Sequence, residues 1–126
     1  MGYLVDSNVL IDYVAERFAE YQLEALDAIF DDSLNVSVIT KIEILGFNIS
    51  PEEESRMIGF LKNANIIQLT DDIVNATITL KKSIRIKTPD AIIASTALIN
   101  AHTLITSNTS DFKRIAGLKL LKPHEL

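Results

Sequence analysis

The sequence lacks cysteine and any long apolar run, and it has only three prolines and four glycines among 126 residues. Without cysteine the chain can have no disulfide, no thiolate zinc site and no cysteine nucleophile. No stretch approaches the roughly 18 consecutive apolar residues of a membrane span. The chain also begins in a strand-like segment, without the basic and apolar leader of a secreted protein. We therefore expect a cytoplasmic protein with no membrane partner.

Apolar residues, by contrast, are plentiful at 48% of the chain. This length and composition suit one hydrophobic core of ordinary size. Because no repeat, low-complexity stretch or linker divides the sequence, a single domain over residues 1–126 is predicted.

Positive charge is scarce, since the formal net charge is −5, whereas proteins that bind nucleic acid usually carry a surplus of lysine and arginine. Many of the acids lie in 16–32 and 52–54, where we expect them to face solvent. Lysine and arginine cluster at 81–87, shortly before Asp90. A metal beside this cluster would let an acidic protein bind a phosphate backbone. The alternative is that the cluster is only a solvated helix end.

Short apolar runs alternate with amphipathic segments of helical length, which is typical of βαβ units around a parallel sheet. The predicted strands are 3–6, 35–38, 66–69, 103–106 and 119–121. Helix starts are indicated at Ser50-Pro51, at Thr70 and at Thr88-Pro89, where cap residues precede acids or proline. The segment 89–101 is predicted to be the longest helix and, being apolar on nearly every face, to be buried.

Four acidic residues occupy similar places in this pattern. Asp6 closes the first predicted strand and Glu43 follows the second. Asp90 opens the buried helix, and Asp111 lies just past the fourth strand. Such positions meet at the carboxyl edge of a parallel sheet, where this class of fold binds its ligands. Because converging carboxylates repel one another, the cluster requires raised pKa values or a bound cation, and we favour a divalent metal.

Each acid also has a purely structural interpretation. Asp6 could cap the first helix, and Asp90 could complement the dipole of its own helix. Thr40 and Glu43 have the spacing of a capping box, and Asp111 could be one more first-turn acid. The shared placement of all four at one sheet edge favours the metal interpretation.

Carboxylates suit Mg²⁺ or Mn²⁺, hard cations that keep bound waters and accept phosphate oxygens. Such a metal can orient or deprotonate a water for in-line attack on a phosphodiester. The reaction then requires neither histidine. We expect His102 to pack or to lie at the surface, and His124 to face solvent.

Neutral polar residues lie beside the acids. Four of them are candidates for contact with the carboxylates, with a metal-bound water or with a substrate phosphate. These candidates are Asn8, Thr40, Thr106 and Asn108. Turn and cap chemistry is the alternative explanation for such residues, and it is at least as good for Ser7 and Ser107.

At this point four motifs become recognisable together: LVDSNVLI at 4–11, TKIE at 40–43, TPDAIIASTA at 88–97 and LITSNTSDF at 104–112. In their order and spacing they resemble the PIN-domain ribonucleases, and most of all the VapC toxins of toxin–antitoxin pairs. The resemblance runs along the whole chain.

The resemblance implies an α/β fold, a three-layer α/β/α sandwich with a central parallel sheet of about five strands. It also implies cleavage of RNA that depends on Mg²⁺ or Mn²⁺. Asp6, Glu43 and Asp90 match the three acids of the family and Asp111 the fourth, so all four are expected to bind metal and to be catalytic. Asn108 stands where some relatives carry another acid. Relatives imply two partners, a second copy in a homodimer and a small antitoxin whose C-terminal segment occupies a groove leading to the acids.

Three other functions are considered. A catalytically silent relative would keep the acids and only bind RNA or protein. A phosphoacceptor receiver domain has a similar length, but it needs an aspartate at the end of its third strand, where Asp71 already looks like a helix start, and a late lysine, for which Lys122 comes too near the terminus. Cleavage by histidines would need two well-placed imidazoles.

Overall fold

The structure, a computed structural model that describes residues 2–126, alternates strands and helices around one sheet. Its strands are β1 Tyr3–Val5, β2 Asn35–Ser37, β3 Asn65–Ile67, β4 Thr103–Ile105 and β5 Leu120–Leu121. Its helices are α1 Ser7–Val14, α2 Glu20–Asp32, α3 Val38–Leu45, α4 Pro51–Leu61, α5 Asp71–Ser83 and α6 Thr88–Ile99. Short 3-10 helices span Thr109–Asp111 and Pro123–Glu125.

All five strands are parallel, in the order β3-β2-β1-β4-β5. The chain therefore builds the sheet outward from β1 in one direction and then returns to build it in the other. Val5 pairs with Ile105, so the carboxyl ends of β1 and β4 lie side by side. This is the topological switch point, where an open parallel sheet has its ligand crevice.

Apolar helices cover both faces of the sheet, because successive side chains of a strand point to opposite sides. Val5 and Ile105 point to the face covered by α1 to α4, where the largest group of buried apolar residues lies. Leu4 and Leu104 point to the other face, against α6 and Phe112. These layers confirm the predicted α/β/α sandwich with a central parallel sheet of five strands.

Two of the three predicted helix starts are confirmed. Ser50 and Thr70 each accept a hydrogen bond from the backbone amide three residues on, at 3.2 and 3.3 Å. The third is wrong in detail, since α6 begins at Thr88 itself and Lys87 precedes it without a side-chain cap. Pro89 is tolerated there because every amide of the first turn lacks a helical acceptor. Nor is α6 the longest helix, because its 12 residues are one fewer than those of α2 and α5.

The second strand is shorter than predicted. β2 ends at Ser37, and the β-branched residues Val38 and Ile39 already belong to α3. Ser37 caps that helix, since its hydroxyl accepts a hydrogen bond from the Ile39 amide at 3.2 Å. Thr40 and Glu43 therefore both lie inside α3, and the interpretation of this pair as a capping box was wrong.

The strand order also decides against the receiver domain. Receiver domains have the order 2-1-3-4-5, which puts the third strand beside the first. Here β3 is at the edge of the sheet, and Asp71 is the first residue of α5. None of the helices in residues 2–126 combines the length and the apolar character that crossing a membrane would require.

Candidate active site

Asp6 is the centre of the candidate site, at the switch point between β1 and β4. Only 5% of the residue is exposed. One carboxylate oxygen accepts a hydrogen bond from the Ser7 amide at 2.8 Å, so Asp6 does cap α1 as the structural interpretation proposed. The other oxygen accepts hydrogen bonds from the side-chain amide of Asn8 at 3.3 Å and from the Thr106 hydroxyl at 2.8 Å. Asp6 thus joins two strands as well as beginning a helix.

The loop after β4 is fixed by the same network. The Asn8 side-chain oxygen accepts a hydrogen bond from the Ser107 amide at 3.1 Å. The Thr106 hydroxyl, which donates to Asp6, accepts one from the Asn108 amide at 3.1 Å. Asn8, Thr106 and Asn108 therefore lie beside the acids, as the sequence predicts.

Glu43 approaches the site from α3, which packs against α1 and α6. The residue as a whole is exposed, but its carboxyl group is partly desolvated. Desolvation, followed by the negative charges of Asp6 and Asp90, raises the pKa of Glu43. Three of the predicted acids are therefore close enough to repel one another.

Asp90 lies in the first turn of α6 and is half-buried. Desolvation is again the largest cause that raises its pKa, followed by the negative charges of Asp6 and Asp111, while Lys87 lowers it. Burial raises the pKa of Asp6 as well, against the lowering effect of its hydrogen bonds to Thr106 and its neighbours. The structure thus brings all four predicted acids into one electrostatic cluster.

Asp111 is the most loosely held of the four. It is exposed and ends the 3-10 helix Thr109–Asp111. Its carboxylate accepts a short hydrogen bond from the Asn108 side-chain amide, whose oxygen in turn accepts one from Ser110 at 3.2 Å. Asn108 therefore contacts Asp111 directly through its side chain.

Thr40 is the one candidate that the structure does not connect to the acids. It is buried, and its hydroxyl oxygen has no hydrogen-bond partner within residues 2–126. It lies nearly one helical turn before Glu43 on α3. Its predicted contact with a carboxylate, a water or a phosphate stays a prediction.

The donor set suits a hard divalent cation. Four carboxylates meet here, and the charge of Asp6 raises the pKa of both Glu43 and Asp90, so the cluster favours a positive charge among them. The described part of the chain holds no group of three or more His, Asp or Glu side chains already arranged to bind one ion. Mg²⁺ takes only one or two carboxylates directly and keeps several waters, so an arrangement of this kind fits it.

The two histidines lie apart from the acids. His102 is half-buried and precedes β4, which places it at the amino edge of the sheet. A Cβ atom added to Gly2 would come within 2.6 Å of its ring, so His102 packs, as expected. His124 is exposed, as predicted, with its ring 5.3 Å from that of Phe18. Neither imidazole hydrogen-bonds an acid of the cluster within residues 2–126, which leaves histidine-based cleavage without support.

Sequence reasoning missed one cation at the site. Arg114 lines a cleft together with Asp90 and Asp111. It is 24 positions from Asp90 in the chain, so only tertiary structure brings the two together. The one available signal was the basic pair Lys113-Arg114 directly after Asp111.

Known proteins share this fold. The model of the PIN domain matches residues 3–118. A chain of a toxin-antitoxin complex from Klebsiella pneumoniae is 31% identical, with a TM-score of 0.77, and the match covers 99% of this chain and 100% of that one. A crystal structure of VapBC2 from Rickettsia felis, bound to a DNA fragment from their promoter, has a chain with a TM-score of 0.82 at 23% identity, covering 97% and 98% of the two chains.

Ribonuclease VapC1 of Rickettsia felis is 49% identical over 41 residues, which span 32% of this chain and 31% of that protein. The family match covers all four acids. The resemblance found in the motifs is thereby confirmed, and the chain belongs to the PIN-domain family.

Proposed function

We propose that the protein is an endoribonuclease that hydrolyses phosphodiester bonds of RNA with Mg²⁺ or Mn²⁺. The observation that carries the proposal is the convergence of Asp6, Glu43, Asp90 and Asp111 at the switch point, with the pKa values of the first three raised. The similarity to Ribonuclease VapC1 supports the same activity. Single-stranded loops are the expected substrate, because their backbone can enter a cleft.

Asp6 is the best-ordered ligand of the proposed site. Its three hydrogen bonds, from Ser7, Asn8 and Thr106, hold the carboxylate in one orientation before any cation arrives. Each carboxylate oxygen has two lone pairs, so these bonds leave acceptor capacity for a metal. Preorganisation of this kind lowers the cost of assembling the site.

Glu43 and Asp90 bring further negative charge from two different helices. Their raised pKa values mean that the ionised forms are less favourable than usual, and a positive charge nearby would offset this. When bound, Mg²⁺ or Mn²⁺ supplies that charge, activates water and stabilises the charge that develops on phosphorus. Asp111, held by Asn108, closes the site on the side of the cleft.

The proposed reaction is a hydrolysis. The oxygen of a water forms the new bond to phosphorus and gives up one proton to solvent, the bond from phosphorus to the 3′ oxygen breaks, and that oxygen takes up a proton from solvent. The products are a 5′-phosphate and a 3′-hydroxyl. In-line attack requires the water and the leaving oxygen on opposite sides of phosphorus, which an open cleft beside the acids allows.

Asp90→Asn should abolish cleavage while the protein stays folded, because the change removes one charge and keeps the shape of the side chain. Removal of a group that acts on the transition state typically costs on the order of 10²-fold or more in rate. The measurement is cleavage of a mixed RNA pool by wild type and variant in Mg²⁺ or Mn²⁺, with EDTA as control and analysis of the product ends.

Full activity in Asp90→Asn, or activity that resists EDTA, would contradict the assignment. A matched control is Asp71→Asn, which removes an exposed first-turn acid from α5 and should cleave like wild type. Metal binding without cleavage by the wild type would favour the silent RNA- or protein-binding module instead.

We further infer that the chain is the toxin of a toxin–antitoxin pair and acts in the cytoplasm, with a small antitoxin protein as partner. The support is its similarity to chains of toxin-antitoxin complexes. Expression of the wild type in a bacterial host should arrest growth, whereas Asp90→Asn should not, and co-expression of its antitoxin should restore growth. Equal growth of the two cultures would argue against a toxin.

A homodimer is the remaining proposal about partners. Ile42 and Phe47, on and after α3, are 63% and 57% exposed, which is apolar area that a second copy could cover. Light scattering on the purified protein should give twice the chain mass of 14.0 kDa. A mass of one chain at working concentration would refute this proposal.

A further inference from the structure

A cleft of about 440 Å³ opens beside the acid cluster. Asp90 and Asp111 line it on the side of the acids, and Arg85, Lys87 and Arg114 add three positive charges to its walls. The chain has a formal net charge of −5, so three cations in one cleft are a local concentration of positive charge. Such a concentration indicates a binding site for an anion.

These cations are not neutralised by acids of the protein. Arg85, Lys87 and Arg114 are all exposed. Within residues 2–126 the single ion pair joins Arg17 to Asp12, far along the chain from this cleft. The three charges are therefore available to a ligand.

The backbone that carries two of the cations is held in place. The Arg114 guanidinium donates a hydrogen bond to the Arg85 carbonyl at 2.9 Å, and the Lys81 ammonium donates one to the Ile86 carbonyl at 3.0 Å. These bonds fix the loop 84–87 between α5 and α6. Arg85 and Lys87 thus project from an ordered segment, and Arg114 couples that segment to the chain after Asp111.

Compensation of the acids alone does not explain the arrangement. Lys87 lowers the pKa of Asp90, but this is the weakest of the influences on that carboxyl group, and the pKa stays raised. Neither arginine forms a salt bridge with Asp90 or Asp111 within residues 2–126. Cations placed near acids but not paired with them can instead attract an anion that the acids by themselves would repel.

We propose that Arg85, Lys87 and Arg114 form a binding site for a backbone phosphate of the RNA, next to the bond that is cut. This inference rests on the proposed ribonuclease function and assigns the residues that hold its substrate. Guanidinium groups match the oxygens of a phosphate in a planar, two-pronged way, and lysine adds a point charge. Contacts with phosphate position a nucleic acid without reading its sequence, so the site gives affinity and register.

The test compares two double variants that lose the same charge. Arg85→Gln/Lys87→Gln removes two cations of the cleft. The control, Lys62→Gln/Lys119→Gln, removes two exposed lysines that precede β3 and β5. They lie toward the amino ends of the strands, whereas the acids lie at the carboxyl ends. Binding of a fluorescein-labelled single-stranded RNA is followed by fluorescence anisotropy over a range of salt concentrations, in EDTA so that no cleavage occurs.

We expect the cleft variant to bind roughly 10-fold more weakly and the log–log slope of its salt dependence to fall by about 0.7, since one phosphate contact to a single strand contributes about that much. The control should bind like wild type. Equal affinity and slope in the two double variants would overturn the proposal. That result is also the one expected if the cleft binds an acidic protein segment instead of RNA.

Arg114 needs a separate variant, because its side chain also holds the loop. Arg114→Lys keeps the charge and should retain most of the RNA affinity, whereas Arg114→Gln should bind RNA more weakly than wild type. The melting temperature of each variant shows how far loss of the contact with the Arg85 carbonyl contributes. Affinity that follows melting temperature instead of charge would count against a phosphate site.

Cleavage in Mg²⁺ by the same proteins separates this inference from the function on which it rests. A raised KM with an unchanged kcat in the cleft variant supports the phosphate site. Absence of cleavage by the wild type would defeat the proposed ribonuclease, while the binding measurement would still decide whether the cleft holds a phosphate backbone.

Discussion

The hydrogen bond from Thr106 to Asp6 joins the carboxyl ends of β1 and β4, and the rest of the site depends on it. It spans 100 positions of sequence and lies where the sheet changes its direction of growth. Because the same carboxylate also caps α1, one buried acid fixes a helix start, a strand pair and the loop that leads to Asp111. An acid so enclosed costs free energy unless its hydrogen bonds are satisfied, and here they are.

Repulsion among carboxylates is the second constraint. Asp6, Glu43 and Asp90 come from a strand end and two helices. The charge of Asp6 raises the pKa of Glu43 and of Asp90, and the charge of Asp90 raises that of Glu43. A fold gains nothing in stability from such a cluster, since like charges at close range disfavour the ionised forms. Acids held together against their own repulsion are characteristic of functional sites. In the proposed site, a metal offsets the charge of the acids, and the cations of the neighbouring cleft offset the charge of the phosphate backbone.

Much of the fold follows from the sequence, because parallel sheets leave strong signals in apolar runs and caps. All five strands were predicted to within one or two residues, and the four acids were predicted to meet. The start of α3 was not predicted, because Val38 and Ile39 are β-branched and continue an apolar strand pattern. In the structure the strand ends at Ser37, whose hydroxyl accepts a hydrogen bond from the Ile39 amide and so begins the helix. The role of Arg114 was not predicted either, since nothing near it in the chain indicates that it contacts Arg85. The local sequence pattern does not predict tertiary contacts of this kind.

The most direct test of the central claim is a titration of ¹⁵N-labelled protein with Mn²⁺, followed by the broadening of its backbone amide NMR signals. If the four acids bind one metal, the amides of Ser7, Ala91 and Asn108 should broaden first, and Asp90→Asn should suppress the effect. Broadening that begins instead at the exposed acids of 52–54, or that is unchanged in the variant, would contradict a metal site at the switch point.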